Sequence, residues 1–77
     1  MSQEYAVIFE KAENNWAAYV PDLPGCAATG GTLEEVLRRI REAIAMHLRG
    51  LQEDGLPLPT PNSDPAWVDV ELPSPVA

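Results

Sequence analysis

The sequence predicts an α+β domain with the element order β-β-β-α-β: an antiparallel three-strand meander, one helix packed on one face, and a last strand parallel to the first. Three observations carry this reading. Apolar residues alternate over residues 4–11 and again over 66–72, which is the two-residue period of a half-buried strand. Between Tyr19 and Val36 lie a two-proline corner, a glycine pair and a helix-capping signal, all in one short stretch. From Leu33 onward, apolar residues recur at helical spacing.

Each element follows from local chemistry. In the first strand, Glu4 to Lys11, Tyr5, Val7 and Phe9 point to one face and Ala6, Ile8 and Glu10 to the other. Glu13-Asn14-Asn15 reads as a hairpin turn, because asparagine tolerates positive φ. The returning strand, Trp16 to Val20, puts Trp16, Ala18 and Val20 on one face. Pro21 and Pro24 stiffen the corner and Gly25 bends it, before a short third strand from Cys26 to Thr29. Gly30-Gly31 ends that strand. Thr32 is an N-cap with Glu35 three residues on, and the helix runs from Leu33 to Asp54. Glu34 with Arg38 and Glu35 with Arg39 are i,i+4 pairs on its wet side. Gly50 is expected to loosen the helix, and Gly55 with Pro57 to stop it. Leu56 to Pro65, with four prolines, is an extended connection. Ala66 to Leu72 is the last strand, with Val68, Val70 and Leu72 opposed to Trp67, Asp69 and Glu71, and residues 73–77 form a tail.

A chain of 77 residues allows one domain, spanning 1–72. Strands one and two carry apolar groups on both faces, while one helix covers only one. The second face or the third strand's edge is therefore expected to meet another copy, as a dimer or tetramer, or a partner. The formal charge of −7 argues against direct nucleic-acid binding, which needs clustered Lys and Arg. The acidity suits a basic partner, or simply keeps the chain soluble. No run of about 18 apolar residues marks a membrane span, and no leader is visible at the N-terminus. The lone Cys26 excludes an internal disulfide and fits a reducing, cytoplasmic setting.

The strand from Tyr5 to Glu10, the run from Trp16 to Gly25 with its Pro-Asp-Leu-Pro-Gly corner, and Cys26 to Gly30 resemble the HicB-like antitoxin family of bacterial toxin–antitoxin systems. The resemblance continues through Thr32 to Val36, Arg41 to Ile44 and Glu53 to Pro59. It implies a partial ribonuclease-H-like fold. It also implies a non-enzymatic role, in which the protein neutralises a small basic HicA-type endoribonuclease by covering its active site. Fuller members carry a C-terminal DNA-binding domain. No such region is visible here through Ala77, so autorepression is not expected of this chain. The alternative is an orphan homo-oligomeric domain without a toxin partner.

The residues expected at the partner interface are Glu10, Glu13, Trp16 and Asp22, chosen for exposure and charge. No catalytic, cofactor or metal site is expected. A ribonuclease-H-like metal set would draw on Glu10, Glu42 and Asp69, but Glu42 sits about 180° from the apolar stripe of the helix. His47, within the apolar arc, reads as a packed histidine, and Cys26 as a small buried residue. Gly30-Gly31 lacks the ending of a phosphate loop. Trp16 and Trp67 read as core or interface aromatics rather than base-stacking platforms, and Met46 as an exposed apolar group on the helix.

Overall fold

A computed structural model describes residues 3–73. Strands β1 (Ile8–Lys11), β2 (Trp16–Tyr19) and β3 (Ala27–Gly30) are followed by helix α1 (Leu33–Glu53). The strands form one antiparallel sheet in the order β1-β2-β3, with Phe9 opposite Ala18 and Ala18 opposite Ala28. The α+β meander and its single helix are thus as the sequence predicts.

One sheet face and one helix face make the core. Ala18, Val20, Leu23, Cys26, Val36 and Ile40 are buried, with Tyr5, Val7, Phe9, Trp16, Ala28, Ala43, Ile44 and Leu48 packed around them. The odd-numbered residues of β1 face the helix, as the alternation requires. The helix crosses β3 and β2 but does not reach β1.

Local chemistry sets the boundaries. The hairpin closes through the Ala12 N–H donating to the Asn15 carbonyl at 2.8 Å. Neither asparagine adopts positive φ, contrary to expectation. β1 starts at Ile8 rather than Glu4 for a reason visible in the register. Tyr5 and Ala6 would have to pair with Asp22 and Pro21, but the chain there has already turned. Leu23 N–H donates to the Val20 carbonyl and Cys26 N–H to the Leu23 carbonyl, two successive turns that drive Leu23 fully into the core.

At the helix start, Thr32 Oγ1 accepts from Glu35 N–H at 3.1 Å. Glu35 Oε1 reaches back one residue further than a standard capping box, to the Gly31 N–H at 3.2 Å. At the helix end, the Gly55 N–H donates to the Gln52 carbonyl and the Leu56 N–H to the Leu51 carbonyl, which is a Schellman motif. Gly55 takes φ +69°, a conformation that favours glycine. Gly50 does not loosen α1, which runs unbroken to Glu53.

The expected last strand differs most. Among the described residues the sheet has three strands, and Ala66–Leu72 is not one of them. Among those residues, no backbone hydrogen bond joins this segment to β1. Its direction is the expected one, since Ser63–Pro65 flank Glu4–Ala6 and Pro65–Trp67 flank Val7–Phe9. It does not pair in place: Pro65 has no N–H to give to a ladder, and a cleft of about 400 Å³ lies between Pro65–Trp67 and Val7–Phe9. Trp67 is 102 % exposed, and Val68, Val70 and Leu72 are 77 %, 71 % and 78 % exposed. The radius of gyration is 16.3 Å, against about 11 Å for a compact chain of this length. The tail begins at Pro73, and its remaining residues lie outside those described.

Candidate protein-interaction surface

Glu10, Glu13 and Trp16 come together at the hairpin end of the sheet. Glu10 lies on the face of β1 away from α1, opposite Ala17, and is exposed. Glu13 sits exposed in the turn. Trp16 is half-buried against the core, and the Lys11 ammonium stands 5.9 Å from its ring centroid. Trp16 thus joins core to surface, while the two carboxylates carry no internal partner among the described residues. The open sheet face beside them is made of small side chains, Ala6, Ala17 and Ala27, around Ile8 and the exposed Tyr19.

Asp22 is separated from this group by the length of β2. It holds the chain's own connection. Its Oδ2 accepts from the Asn62 N–H at 2.9 Å and the Ser63 N–H at 3.0 Å, and its Oδ1 accepts from the Ser63 hydroxyl at 2.9 Å. These bonds, the Asn62 N–H first, hold its carboxyl below the ordinary aspartate value despite an opposing effect of burial. The Tyr5 hydroxyl donates to the Pro59 carbonyl at 2.6 Å, a second fastening for the same connection. The charge of Asp22 alone gives no sign of this. No local signal marks it, because its partners lie forty residues away in sequence.

The residues weighed for chemistry do not assemble. Glu42 is exposed on α1 and Asp69 on the C-terminal segment, and among the described residues no three His, Cys, Asp or Glu side chains cluster to hold a cation. Cys26 is buried, and burial pushes its thiol up, away from the reactive thiolate. His47 is half-buried beside Gly25, Cys26 and Ala27. Met46 is 70 % exposed.

Gly30 is more than a strand break. It pairs with Trp16 in the sheet, and a Cβ on it would stand 2.8 Å from the Val36 nitrogen, 3.1 Å from its Cα and 3.2 Å from its Cβ. The first turn of α1 is seated directly on this backbone.

The two sheet edges are unlike. At β3, the Arg39 guanidinium donates to the outward Thr29 carbonyl at 2.9 Å and is itself held by Glu35 at 3.2 Å. A charged side chain thus closes that edge. The β1 side is flanked instead by residues 63–67, which run beside residues 4–9 without pairing to them. Because α1 stops short of β1, a groove of about 380 Å³ opens between Tyr5 and Val7 on one side and Leu37, Ile40 and Ile44 on the other, with Gln3, Glu4 and Arg41 at its polar end. The helical stripe is legible in the sequence. The groove is not, because it depends on which strands the helix covers.

Comparison with known proteins gives this surface its context. Residues 5–71 match the family described as the HicB-like antitoxin of bacterial toxin–antitoxin systems. A Helicobacter pylori protein of the UPF0150 group is 47 % identical over 49 residues, covering 64 % of this chain and 68 % of its own. Antitoxin HicB 2 of Photorhabdus laumondii is 34 % identical over 76 residues, covering 99 % of this chain and 54 % of its own. A 14.9 kDa protein of Haemophilus phage HP1 is 40 % identical over 58 residues, covering 75 % of this chain and 44 % of its own. This chain therefore spans about half the length of the phage and Photorhabdus relatives. Among solved structures, a chain of the HicA3–HicB3 toxin–antitoxin complex superposes with a TM-score of 0.67 at 34 % identity, covering 79 % of this chain and 71 % of that one. The chain belongs to the HicB-like antitoxin family.

Proposed function

We propose that this protein is a non-enzymatic, cytoplasmic antitoxin module that binds a small basic HicA-type endoribonuclease and covers its active site. The observation that carries the proposal is the likeness, in fold and in a third of its residues, to a chain from a HicA–HicB complex. The charge of −7 supports it, because an acidic surface attracts a basic nuclease and competes with RNA for it. Glu10 and Glu13, exposed and without internal partners among the described residues, with the rim of Trp16, form the contact we favour. Asp22 is not part of this contact: it holds the 56–65 connection at the other end of β2. The partial ribonuclease-H-like sheet of the family would be completed by a strand from Ala66–Leu72.

The test is co-expression with small basic proteins encoded beside this one, followed by chromatography with light scattering and a growth assay. Reversing Glu10 and Glu13 to lysine should slow association about tenfold at low salt and flatten its salt dependence. An unchanged association rate in that double variant would remove the hairpin end from the interface.

A second reading, self-association as a dimer or tetramer, is favoured by a separate observation. Val68, Val70 and Leu72, alternating with Asp69 and Glu71, and Trp67 beside them are apolar side chains that a lone chain leaves exposed.

A further inference from the structure

We infer that the basic partner seats on the sheet face turned away from α1, with one of its Lys or Arg side chains lying over Ala17 between Glu10, Thr29 and Tyr19. This deepens the antitoxin reading above and rests on it.

Charge selects the face. The four arginines of α1, Arg38, Arg39, Arg41 and Arg49, are balanced by its four glutamates, so the helix is neutral. The other eight of the twelve acids stand against Lys11 alone, which places the whole formal charge of −7 outside the helix. A basic partner is therefore drawn away from α1 and towards the sheet. The two faces of the sheet differ in turn. Lys11 stands over the Trp16 ring on the helix face. On the outward face Glu10 is the charged side chain of the strands, exposed and without an ion pair among the described residues. A second copy would bring its own −7 and its own Glu10 to the same place, so charge disfavours it there.

The strand register shapes a socket on that face. Glu10 and Thr29 both pair with Ala17, one from each side, so the three outward side chains stand in one row, about 5 Å apart. Tyr19 follows two residues along β2 on the same face and is 44 % exposed. Ala17 is the low point between them, on the central strand. Each wall suits a long cationic side chain. Glu10 supplies the opposite charge, Thr29 an acceptor oxygen and Tyr19 an aromatic face, while the Ala17 methyl leaves room for the methylene stem. The Thr29 carbonyl is held by Arg39, which fixes that wall, and the charge of Arg39 is already offset by Glu35. A cation set between a carboxylate and a tyrosine has the composition of an interface hot spot.

The probe is the small basic protein recovered by the co-expression above, titrated into the full chain. Ala17→Leu fills the socket from the solvent side and should weaken binding about tenfold or more. Thr29→Lys, which places a like charge in the same socket from another strand, should do the same. Both should keep the helical circular dichroism of the parent, because neither side chain faces the core. Where Ala17→Leu loses that signal, Thr29→Lys decides. Met46→Ala, on the exposed side of α1, should bind as the parent does. Full binding by Ala17→Leu and Thr29→Lys, with loss in Glu10→Lys/Glu13→Lys, would overturn the socket and leave the antitoxin reading standing. No complex with any neighbouring basic protein would overturn both. A chain that dimerises alone and becomes monomeric in Ala17→Leu would give this face to a second copy and overturn the inference.

Discussion

Gly30→Ala is a sharp probe of how the helix is seated on the sheet. The added methyl would lie 2.8, 3.1 and 3.2 Å from three atoms of Val36, two of them backbone. None is the far end of a flexible side chain, so the contact is relieved only by lifting the first turn of α1. Lifting it strains the Thr32 cap and opens the packing of Val36, which is fully buried. Overpacking of this kind costs about 1–3 kcal/mol. For a domain of this size, about 2 kcal/mol lowers the thermal midpoint by roughly 8–16 °C. Gly31→Ala is the matched control. Its Cβ meets nothing within 4 Å, and losing a glycine there should be neutral or stabilise by about 0.4–1 kcal/mol. The assay is thermal denaturation followed at 222 nm, at one fixed protein concentration because association shifts the midpoint. If Gly30→Ala and Gly31→Ala melted within 2 °C of each other, the close approach of helix and strand would be refuted. About 0.5 kcal/mol would then separate them at most.

Two further predictions concern the ends of elements. Asp22 has a folded carboxyl held below its ordinary value of 3.8, so its contribution is fully present above that pH and is lost as pH falls through the lower folded value. Asp22→Asn should therefore remove part of the acid-induced release of the 56–65 connection, seen as altered amide-exchange protection at Asn62 and Ser63. An identical acid profile in the variant would show that the clamp is unimportant. Thr32→Ala removes the acceptor for the Glu35 N–H and should cost about 1 kcal/mol. A chemical midpoint unchanged from the parent would mean that the Glu35–Gly31 bond alone suffices to start the helix.

The parts of this fold written in short-range chemistry are legible in the amino-acid order alone. Alternation marks β1 and β2, the Thr32 signal marks the helix start, and Gly55 marks its end, because each depends on neighbours within a turn or a strand. Leu23 is not legible as a core residue. A leucine between two prolines looks like a loop residue until successive turns fold it inward. Gly30 reads as a breaker, since its contact with Val36 is set by helix–sheet packing. Of the four candidate interface residues, Glu10, Glu13 and Trp16 share one end of the sheet. Asp22 does not, and its charge conceals a partnership forty residues away in sequence. Ala66–Leu72 has a correct strand pattern, yet pattern specifies a face and not a partner. Pairing requires a free edge within reach, and the Asp22 and Tyr5 fastenings decide what is within reach.

The reach of the helix explains why the domain is left open on one side. A chain this short buries only about 60 % of its unfolded surface, and here α1 covers β2 and β3 while Tyr5, Val7 and Phe9 remain half-buried. Anything that binds only the folded form adds stability that grows with its concentration. A partner seated on that side would therefore tie the folded population to the partner's own abundance.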